Sequence, residues 1–436
     1  MRVPSPWNGR MATMITSAEA RILEAIDDAA LVASLQDLVR IPSVTGEDPE
    51  HDLQHAAARN FADAGLEVDL WQLDLEALRA DPRFPGMEAP RTEGYGVVGV
   101  TPGEGAPALV LQGHVDVVPT GDLDNWPGRD AFSGQVSNGI MFGRGACDMK
   151  AGVAVNLEVA RAIQRSGVTL ERRLAIHSVV SEEDGGLGAF ATMVRGHRGD
   201  AAVITEPTSG RIVVANAGAL TFELRVTGRA AHASMRQEGV SAFEAFLPVH
   251  AAILALEAER NAHPSELFRG NPLPYAIAVG RVRAGDWASS VPDLLVAEGR
   301  LGVQLGEDPI AARAALEGSI TDACARDPWL RDHPVEVTWP GGQFAPGSIA
   351  ADHPLISQTS DAVAAIARRG APQRAAAPYG SDLRLYAGIG NIPTLHYGPG
   401  NVRFAHAPLE QVALKEVLES ARALALLAAR RCGAHG

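Results

Sequence analysis

The chain has 436 residues, of which 46% are hydrophobic and 21% charged, a composition typical of ordinary globular proteins. Its length favours two domains over one. The 52 acidic residues outnumber the 38 basic ones and give a formal charge of −14. We therefore expect neither nucleic acid nor an anionic membrane as a partner, because both bind basic surfaces.

The cysteines and the N-terminal residues indicate in which cellular compartment we expect the protein. Cys147, Cys324 and Cys432 are too few and too scattered for a disulfide framework or a Cys-based zinc site, which favours a reducing cytoplasm. No run of about 18 apolar residues predicts a transmembrane helix. Residues 1–15 lack the apolar core of a signal peptide, so we predict a disordered leader in which Met11 or Met14 is a candidate start.

The first half of the chain alternates predicted helices and strands. Thr16 and Glu19 can form a capping box ahead of a helical pattern that ends at Ile41 and Pro42, and a second helix is expected near 50–64. Residues 74–106 are loop-rich. The remaining segments are the strands GLEVDLWQL, ALVLQGH, RLAIHSVVSEE and AAVITEP, and the helix MKAGVAVNLEVARAIQRSG with Gly167 as its end.

Three of these strands are nearly continuous apolar runs, which are typical of strands buried on both faces of a parallel sheet. Strands that alternate with helices predict an α/β fold, here a three-layer αβα domain. Ligands of such domains bind at the carboxyl ends of the strands.

The pattern changes from about Asn216, where TFELRVTGRAAHA alternates as a half-exposed strand does. The order β-α-β-β-α-β over 216–344 predicts an inserted α+β domain of ferredoxin-like type. After it we predict a helix at 355–368, a helix from about Ser381, the strand IPTLHYG and a terminal helix at 408–431. The first domain therefore has two parts, 16–215 and 345–436.

Candidate metal ligands follow these strands. His114 and Asp116 lie two residues apart on an extended segment, so their side chains leave the same face; one can ligate a metal while the other fixes the imidazole tautomer. A histidine that only caps the strand end is the alternative. Asp148 follows a Gly-rich turn and precedes a helix, where a carboxylate can bridge two ions, although a helix N-cap is the commoner use.

An acidic run follows the strand RLAIHSVVSEE. Glu182, Glu183 and Asp184 repel one another, and a cation would relieve that repulsion. Neighbouring residues of an extended chain point to opposite sides, so one glutamate can bind metal while the other serves as a general base. A solvated acidic turn before Gly185 and Gly186 is the alternative.

Other candidate residues are more isolated in the sequence. Glu206 ends the strand AAVITEP and His406 lies in a Gly-rich approach; each also fits a solvated turn. His232, among small residues in GRAAHAS, can supply chemistry from the inserted domain or be a surface histidine. His177 is interpreted as a buried structural histidine. No motif pairs Cys147 with a base, so a thiol nucleophile is rejected.

Taken together, GHVDVVP, GRGACDMKAG, SEEDGG, TEPT and HAPLE resemble the motifs of the M20 metallopeptidase family in order and separation. This family includes acetylornithine deacetylases, succinyl-diaminopimelate desuccinylases, aminoacylases and related carboxypeptidases. The resemblance covers nearly the whole chain from about residue 17. It implies two divalent metal ions, usually zinc and sometimes cobalt or manganese. The implied ligands are Asp148 as the bridge, His114 and Glu206 on one ion, and Glu183 and His406 on the other.

The resemblance also implies roles around the metals. Asp116 would orient His114, and Glu182 would take the proton from the bridging water and pass it to the leaving nitrogen. The inserted domain would be a lid and dimerisation domain, which implies a homodimer. His232 matches a histidine that helps to polarise the scissile carbonyl, often across the dimer.

The chain departs from the family near the substrate. Ser289 stands where many members have Asn, and Gln304 stands where many have an Arg that could bind a carboxylate. Arg384 is a candidate replacement, because related desuccinylases carry an Arg at that position. The predicted substrate contacts are Ser289, Gly380, Ser381 and Arg384.

These observations predict a two-metal amidohydrolase that cleaves the N-acyl bond of a small amino-acid derivative of N-acetyl or N-succinyl type. A dipeptidase or carboxypeptidase of the same family is the alternative, since the same centre cleaves peptide bonds. A non-catalytic relative is disfavoured, because Glu182 and the full ligand set are present.

Overall fold

A computed structural model describes residues 15–367 and 370–436; the predicted leader lies outside the described residues except for Ile15. The α-helices of the described residues are α1 (Ser17–Glu24), α2 (Asp28–Arg40), α3 (Asp48–Asp63), α4 (Leu75–Ala80), α5 (Lys150–Ser166), α6 (Leu187–Arg195), α7 (Ala242–Arg260), α8 (Pro309–Arg326), α9 (Pro354–Ala367) and α10 (Leu414–Arg431). None of these helices is both long enough and apolar enough to span a bilayer.

The β-strands fall into two groups along the chain. Those before the predicted insertion are β1 (Glu67–Gln72), β2 (Tyr95–Val100), β3 (Leu109–His114), β4 (Gln135–Ser137), β5 (Ile140–Phe142), β6 (Thr169–Leu170), β7 (Leu174–Val179), β8 (Ala202–Ile204) and β9 (Ile212–Asn216). The others are β10 (Gly218–Thr227), β11 (Ala231–His232), β12 (Ile277–Ala284), β13 (Ser290–Val291), β14 (Leu294–Val303), β15 (Glu336–Thr338), β16 (Gln343–Phe344), β17 (Gly347–Ser348), β18 (Arg374–Ala377), β19 (Thr394–His396), β20 (Gln411–Ala413) and β21 (Ala434–His435).

The central sheet has the order β1-β2-β7-β3-β8-β19-β9-β17, with β18 also paired to β9. Its middle strands are parallel, as predicted: β7, β3, β8 and β19. Antiparallel pairs lie on both sides of them, namely β1–β2, β2–β7, β9–β19 and β9–β17. The sheet is therefore mixed rather than parallel. Part of the reason is β2, which lies in the segment predicted as loop-rich and pairs antiparallel with both β1 and β7.

Helices cover both faces of this sheet. Ile176 of β7 packs with Phe61 of α3 and Leu157 of α5. The next residue, His177, points to the other face, where its Nδ1 lies 2.8 Å from the hydroxyl of Tyr386. The predicted three-layer arrangement is therefore present.

The inserted segment follows the predicted order, β10-α7-β12-β14-α8-β15. Its antiparallel sheet has the order β12-β14-β10-β15, with β16 beside β10, and its apolar core includes Phe222, Val249 and Leu316. The chain leaves the central sheet after Asn216 and returns to it at Gly347. We keep 216–344 as the proposed limits of the inserted domain, since the points where the chain leaves and rejoins the central sheet lie close to these limits.

Two helix predictions at the chain ends need correction. The capping box is confirmed, because the Thr16 hydroxyl accepts from the Glu19 N–H at 3.2 Å and the Glu19 carboxylate accepts from the Thr16 N–H at 2.8 Å. The prediction of one continuous helix after this box is wrong. The chain leaves the helical conformation at 25–27, and a second helix, α2, begins with Asp27 as its N-cap. The terminal helix begins at Leu414 instead of 408, because 411–413 pair with β5 as β20.

The helix predicted from about Ser381 is present but short. Residues 383–384 are α-helical and continue into a π-helical turn, Leu385–Ile389. Gly388 and Gly390 lie in and after this turn, and glycine disfavours helix by about 1 kcal/mol relative to alanine.

Candidate metal centre

Three neighbouring strands deliver polar side chains to one edge of the central sheet. β3 ends at His114, β7 is followed by Glu182 and Glu183, and β8 is followed by Glu206. Because these strands are parallel neighbours, their carboxyl ends meet. Asp148, just before α5, reaches the same place.

Asp148 lies between two histidines. Its Oδ1 is 3.3 Å from His114 Nε2, and its Oδ2 is 3.6 Å from His406 Nε2. His114 Nε2 is also 3.6 Å from Glu206 Oε1, while His406 Nε2 is 3.0 Å from Glu183 Oε2. The structure therefore brings the five predicted ligands together, each histidine with one carboxylate of its own and with Asp148 shared.

The donor set fits divalent cations. Possible ligand atoms of His114, Asp148 and Glu183 all lie within 4.8 Å of one another, and so do those of His114, Glu182 and Glu206. Imidazole nitrogen with carboxylate oxygen is the ligand chemistry of zinc and related ions. Burial and the charge of Asp148 raise the pKa of both Glu183 and Glu206, so a bound cation would relieve a real electrostatic cost.

Glu182, the predicted general base, is almost fully buried beside this cluster. Burial raises the pKa of its carboxyl well above the ordinary value, with His114 opposing the shift. Because Glu182 is close enough to His114 and Glu206 to ligate a metal itself, its assignment as base rather than ligand stays a prediction.

Asp116, predicted to orient His114, contacts the histidine ring most closely through its backbone. The Asp116 carbonyl oxygen is 2.9 Å from His114 Nδ1, while the nearer carboxylate oxygen is at 3.6 Å. The carboxylate instead accepts the backbone N–H groups of Glu182 and Glu183, each at 3.2 Å. Asp116 therefore holds the two glutamates as well as the histidine.

Glu410 is a supporting residue whose contacts the sequence did not reveal. One carboxylate oxygen accepts the backbone N–H groups of Cys147 and Asp148, both at 2.9 Å. The other accepts from Arg144 Nη1 at 2.7 Å, and both side chains of this ion pair are buried. Glu410 stands in the HAPLE motif, but nothing in that motif indicates its partners.

The predicted substrate contacts near residue 380 already have partners inside the protein. Arg384 donates to the carbonyl oxygens of Gly185 at 2.7 Å and Ser381 at 3.0 Å. The Ser381 hydroxyl lies 3.1 Å from His396 Nε2, and a Cβ on Gly380 would lie 2.3 Å from Phe344. Their substrate role stays a prediction, although each is engaged in packing the wall of the site.

Asp382, which the sequence interpretation missed, lies in the same wall. It is fully buried, accepts from Gln112 Nε2 at 3.0 Å, and burial raises its pKa to about 7. Its position beside Ser381 in YGSDLRLY was the one available signal.

His232 and Ser289 lie in the inserted domain. β11, which ends at His232, pairs with β13, and the Ser289 carbonyl accepts the Ala233 N–H at 2.9 Å. The exposed His232 ring has its Nδ1 2.8 Å from the Ser234 hydroxyl. Within the described part of this single chain, His232 makes no contact with the metal-centre residues.

Cys147 and His177, which the sequence analysis did not place in the site, are both buried. Cys147 is buried, and burial together with Glu410 raises the pKa of its thiol well above the ordinary value, which disfavours a nucleophile. His177 is buried against Tyr386, and burial lowers its pKa to about 3, so it is neutral.

The family model for peptidase family M20/M25/M40 matches residues 110–430. The chain belongs to this family. As an M20 protein it is a hydrolase of amide bonds in a metal-dependent family, which agrees with the donor set described above.

Individual relatives agree with this assignment. Acetylornithine deacetylase of Erwinia tasmaniensis is 28% identical over 388 residues, covering 86% of this M20 chain and 91% of the relative. A probable carboxypeptidase of Aspergillus niger is 25% identical over 409 residues, covering 92% and 89%. The solved structure of a di-peptidase from Saccharomyces cerevisiae matches with a TM-score of 0.77 at 14% identity, covering 96% of this chain and 99% of that one, which shows the shared fold.

Proposed function

We propose that this M20 protein is a two-metal amidohydrolase that releases the acyl group, acetyl or succinyl, from a small N-acyl amino acid. The observation that carries the proposal is the placement of Asp148 between His114 and His406, each with its own further carboxylate. The similarity to an acetylornithine deacetylase over most of both chains supports the substrate class.

The residues that would hold the two ions are the five that meet at the sheet edge: His114, Asp148, Glu183, Glu206 and His406. We propose zinc, with cobalt or manganese as alternatives. When bound, such ions polarise an amide carbonyl and lower the pKa of water.

The protein's own residues would then handle the proton. Glu182 is buried and has a raised pKa, so it can hold a proton taken from the attacking water and donate it to the leaving nitrogen. Asp116 fixes the backbone of Glu182, and Glu410 fixes the backbone of Asp148. The backbones of both Glu182, the proposed acid–base group, and Asp148, the proposed shared ligand, are thus fixed by hydrogen bonds to buried carboxylates.

The test is hydrolysis of a panel of N-acetyl and N-succinyl amino acids and dipeptides by protein loaded with zinc, cobalt or manganese. Glu182→Gln should reduce kcat by roughly 10²–10⁴-fold, the usual contribution of a positioned general acid–base, while still binding two metal ions per chain. Glu104→Gln, on an exposed loop, serves as the matched control. Full activity of Glu182→Gln would remove the proposed base, and the absence of metal uptake would remove the proposed centre.

A dipeptidase or carboxypeptidase activity is the second candidate. The observation that favours it is the similarity to a probable carboxypeptidase over 92% of this chain. Within the same panel, kcat/KM for the best dipeptide against the best N-acyl amino acid decides between the two.

We also propose that the enzyme acts as a cytoplasmic homodimer. The outer face of α7 exposes Phe243, Leu247 and Leu254, with exposed fractions near one half, at spacings that place them on one side of the helix. An exposed apolar stripe of this kind is typical of a protein interface. In such a dimer His232 could reach the metal centre of the partner. The cytoplasmic location is supported by three cysteines that are free and buried.

A further inference from the structure

A groove of about 420 Å³ lies on the face of the central sheet that α3 and α5 do not cover. Its floor is formed by paired residues of β2 and β7: Val98, Val100, Ala175 and His177. Residues 106–107 and 196–198 contribute to its walls. None of the five candidate metal ligands lines this β2–β7 groove, which is therefore separate from the metal centre.

His177 supplies the groove with a polar group that has no partner. The Tyr386 hydroxyl lies 2.8 Å from His177 Nδ1, and burial lowers the pKa of the imidazole to about 3, so the ring is neutral. Among the described residues the Tyr386 hydroxyl has no other acceptor, so it donates to Nδ1 and the ring proton is on Nε2. His177 Nε2 is buried and has no hydrogen-bond partner within the described part of the chain. The groove is therefore lined by an N–H donor that lacks an acceptor.

The two carboxylates that line the groove are already paired. Glu67 forms an ion pair with Arg173. The Asp69 carboxylate lies 2.6 Å from Arg195 Nε and 2.9 Å from His197 Nε2. The hydrogen bond from Arg195 lowers the pKa of Asp69, so this carboxylate is ionised and its charge is compensated. Neither carboxylate is free to bind a cationic ligand.

Arg198 gives the groove a positive charge without a counter-charge. Its Nη1 donates to the carbonyl oxygens of Met193 at 2.6 Å and His197 at 3.0 Å. Among the described residues it has no carboxylate within ion-pair distance, and its Nε and Nη2 make no hydrogen bond. Burial lowers the pKa of the guanidinium, so a bound anion would relieve an electrostatic cost. Next to burial, the charges of His197 and Arg198 lower the pKa of His177, which places both charges near its ring.

We infer that the β2–β7 groove is a second ligand site, distinct from the metal centre, for a small monocarboxylate with an apolar body. The carboxylate would accept hydrogen bonds from Arg198 and from the Nε2–H of His177. Arginine Nε and Nη2 together can bind a carboxylate with two parallel hydrogen bonds. The apolar body would cover Val98, Val100 and Ala175, and the volume of the groove is in the range of about 300–1,000 Å³ that is usual for small-molecule sites.

An uncharged apolar ligand is the alternative occupant, because three of the four floor residues are apolar. The two occupants make different predictions. A site that recognises the carboxylate discriminates an acid from its carboxamide, whereas a site that binds only the apolar body takes both equally. Phenylacetate and phenylacetamide are such a pair, since they share one apolar body and differ in charge.

The experiment is calorimetric binding of both probes to the metal-loaded wild type, Arg198→Gln, Ala106→Trp and Arg59→Gln. Phenylacetate should bind the wild type more tightly than phenylacetamide, and Arg198→Gln should weaken its binding by roughly 10- to 100-fold, as expected for the loss of charge-assisted hydrogen bonds. Ala106→Trp fills the groove from its exposed wall and should abolish binding of both probes there. Arg59 is exposed on α3, at the opposite face of the sheet, so Arg59→Gln should match the wild type.

A carboxylate can also bind to metal ions, so the groove is identified by the part of the binding that Ala106→Trp removes. The ring ¹⁵N resonances of His177 should shift with phenylacetate in the wild type and not in this variant. Equal affinity for acid and amide, unchanged binding by Arg198→Gln, or no component that Ala106→Trp removes would each overturn the inference. Should Arg198→Gln fail to fold, the acid–amide comparison and the His177 resonances still decide. The measurement needs no turnover, so its outcome is independent of the proposed function.

Discussion

Replacement of Glu410 by glutamine tests how the protein holds its central aspartate. Glu410 accepts two backbone N–H groups at 2.9 Å and the Arg144 guanidinium at 2.7 Å, and the Arg144 and Glu410 side chains are 2% and 0% exposed. The glutamine oxygen can keep the backbone bonds only by turning its NH₂ group toward Arg144. That leaves a buried guanidinium uncompensated, which costs about 3–5 kcal/mol in free energy of unfolding.

The same change should weaken metal binding. Loss of residues that orient metal ligands typically reduces affinity by about 10–100-fold. We would measure denaturant unfolding of the metal-free protein, and zinc affinity by competition with a chelator. Glu416→Gln is the matched control, because Glu416 is an exposed residue that accepts the Gly400 N–H at 3.0 Å. A destabilisation below about 1 kcal/mol together with unchanged zinc affinity would refute the reasoning, since it would equal a single ordinary hydrogen bond.

Three further predictions concern the metal, the thiol and the dimer. The charge of Glu183 raises the pKa of His406 to about 9 in the metal-free protein, and at His114 burial is outweighed by the hydrogen bond to Asp148, which raises that pKa too. Ligation must therefore displace at least one proton, so apparent zinc affinity should rise at least tenfold per pH unit from pH 6 to 8; a flat profile in chelator competition would contradict this. The buried Cys147 should resist alkylation at pH 8, and Cys147→Ser should keep most of the activity; inactivation that maps to Cys147 by mass spectrometry would be the contrary result. Leu247→Glu should shift sedimentation from dimer to monomer whereas the exposed Glu259→Gln should not, and an unchanged assembly in both would exclude the α7 face as the interface.

Strand ends explain which parts of the site could be proposed from sequence. His114 and Glu206 directly follow apolar runs whose burial is visible in the residue pattern, and parallel neighbours must bring such ends together. The support from Glu410 was not visible in the same way. Its partners Cys147 and Asp148 lie more than 260 positions earlier in the chain, and only the folded structure joins them.

The same limit applies to the fold. β2 lies among glycines and prolines that locally favour loops, and it becomes a strand because β1 and β7 pair with it on both sides. The inserted domain was easier to predict, since its strands alternate with period two and its helices are long. The predicted role of Arg384 shows a further limit, because the sequence does not reveal that backbone carbonyls already engage its guanidinium.

The position of β19 has a consequence for the order in which the chain is completed during synthesis. In the central sheet β19 lies between β8 and β9, although the whole inserted segment separates it from both in the sequence. All strands of the inserted sheet, in contrast, come from one uninterrupted stretch of the sequence, from β10 to β16. During synthesis, therefore, all strands and helices of the inserted domain leave the ribosome before β19. At that stage the central sheet still lacks the strand between β8 and β9. The smaller domain can fold first, and the larger one closes around Thr394–His396 only when the last part of the chain emerges.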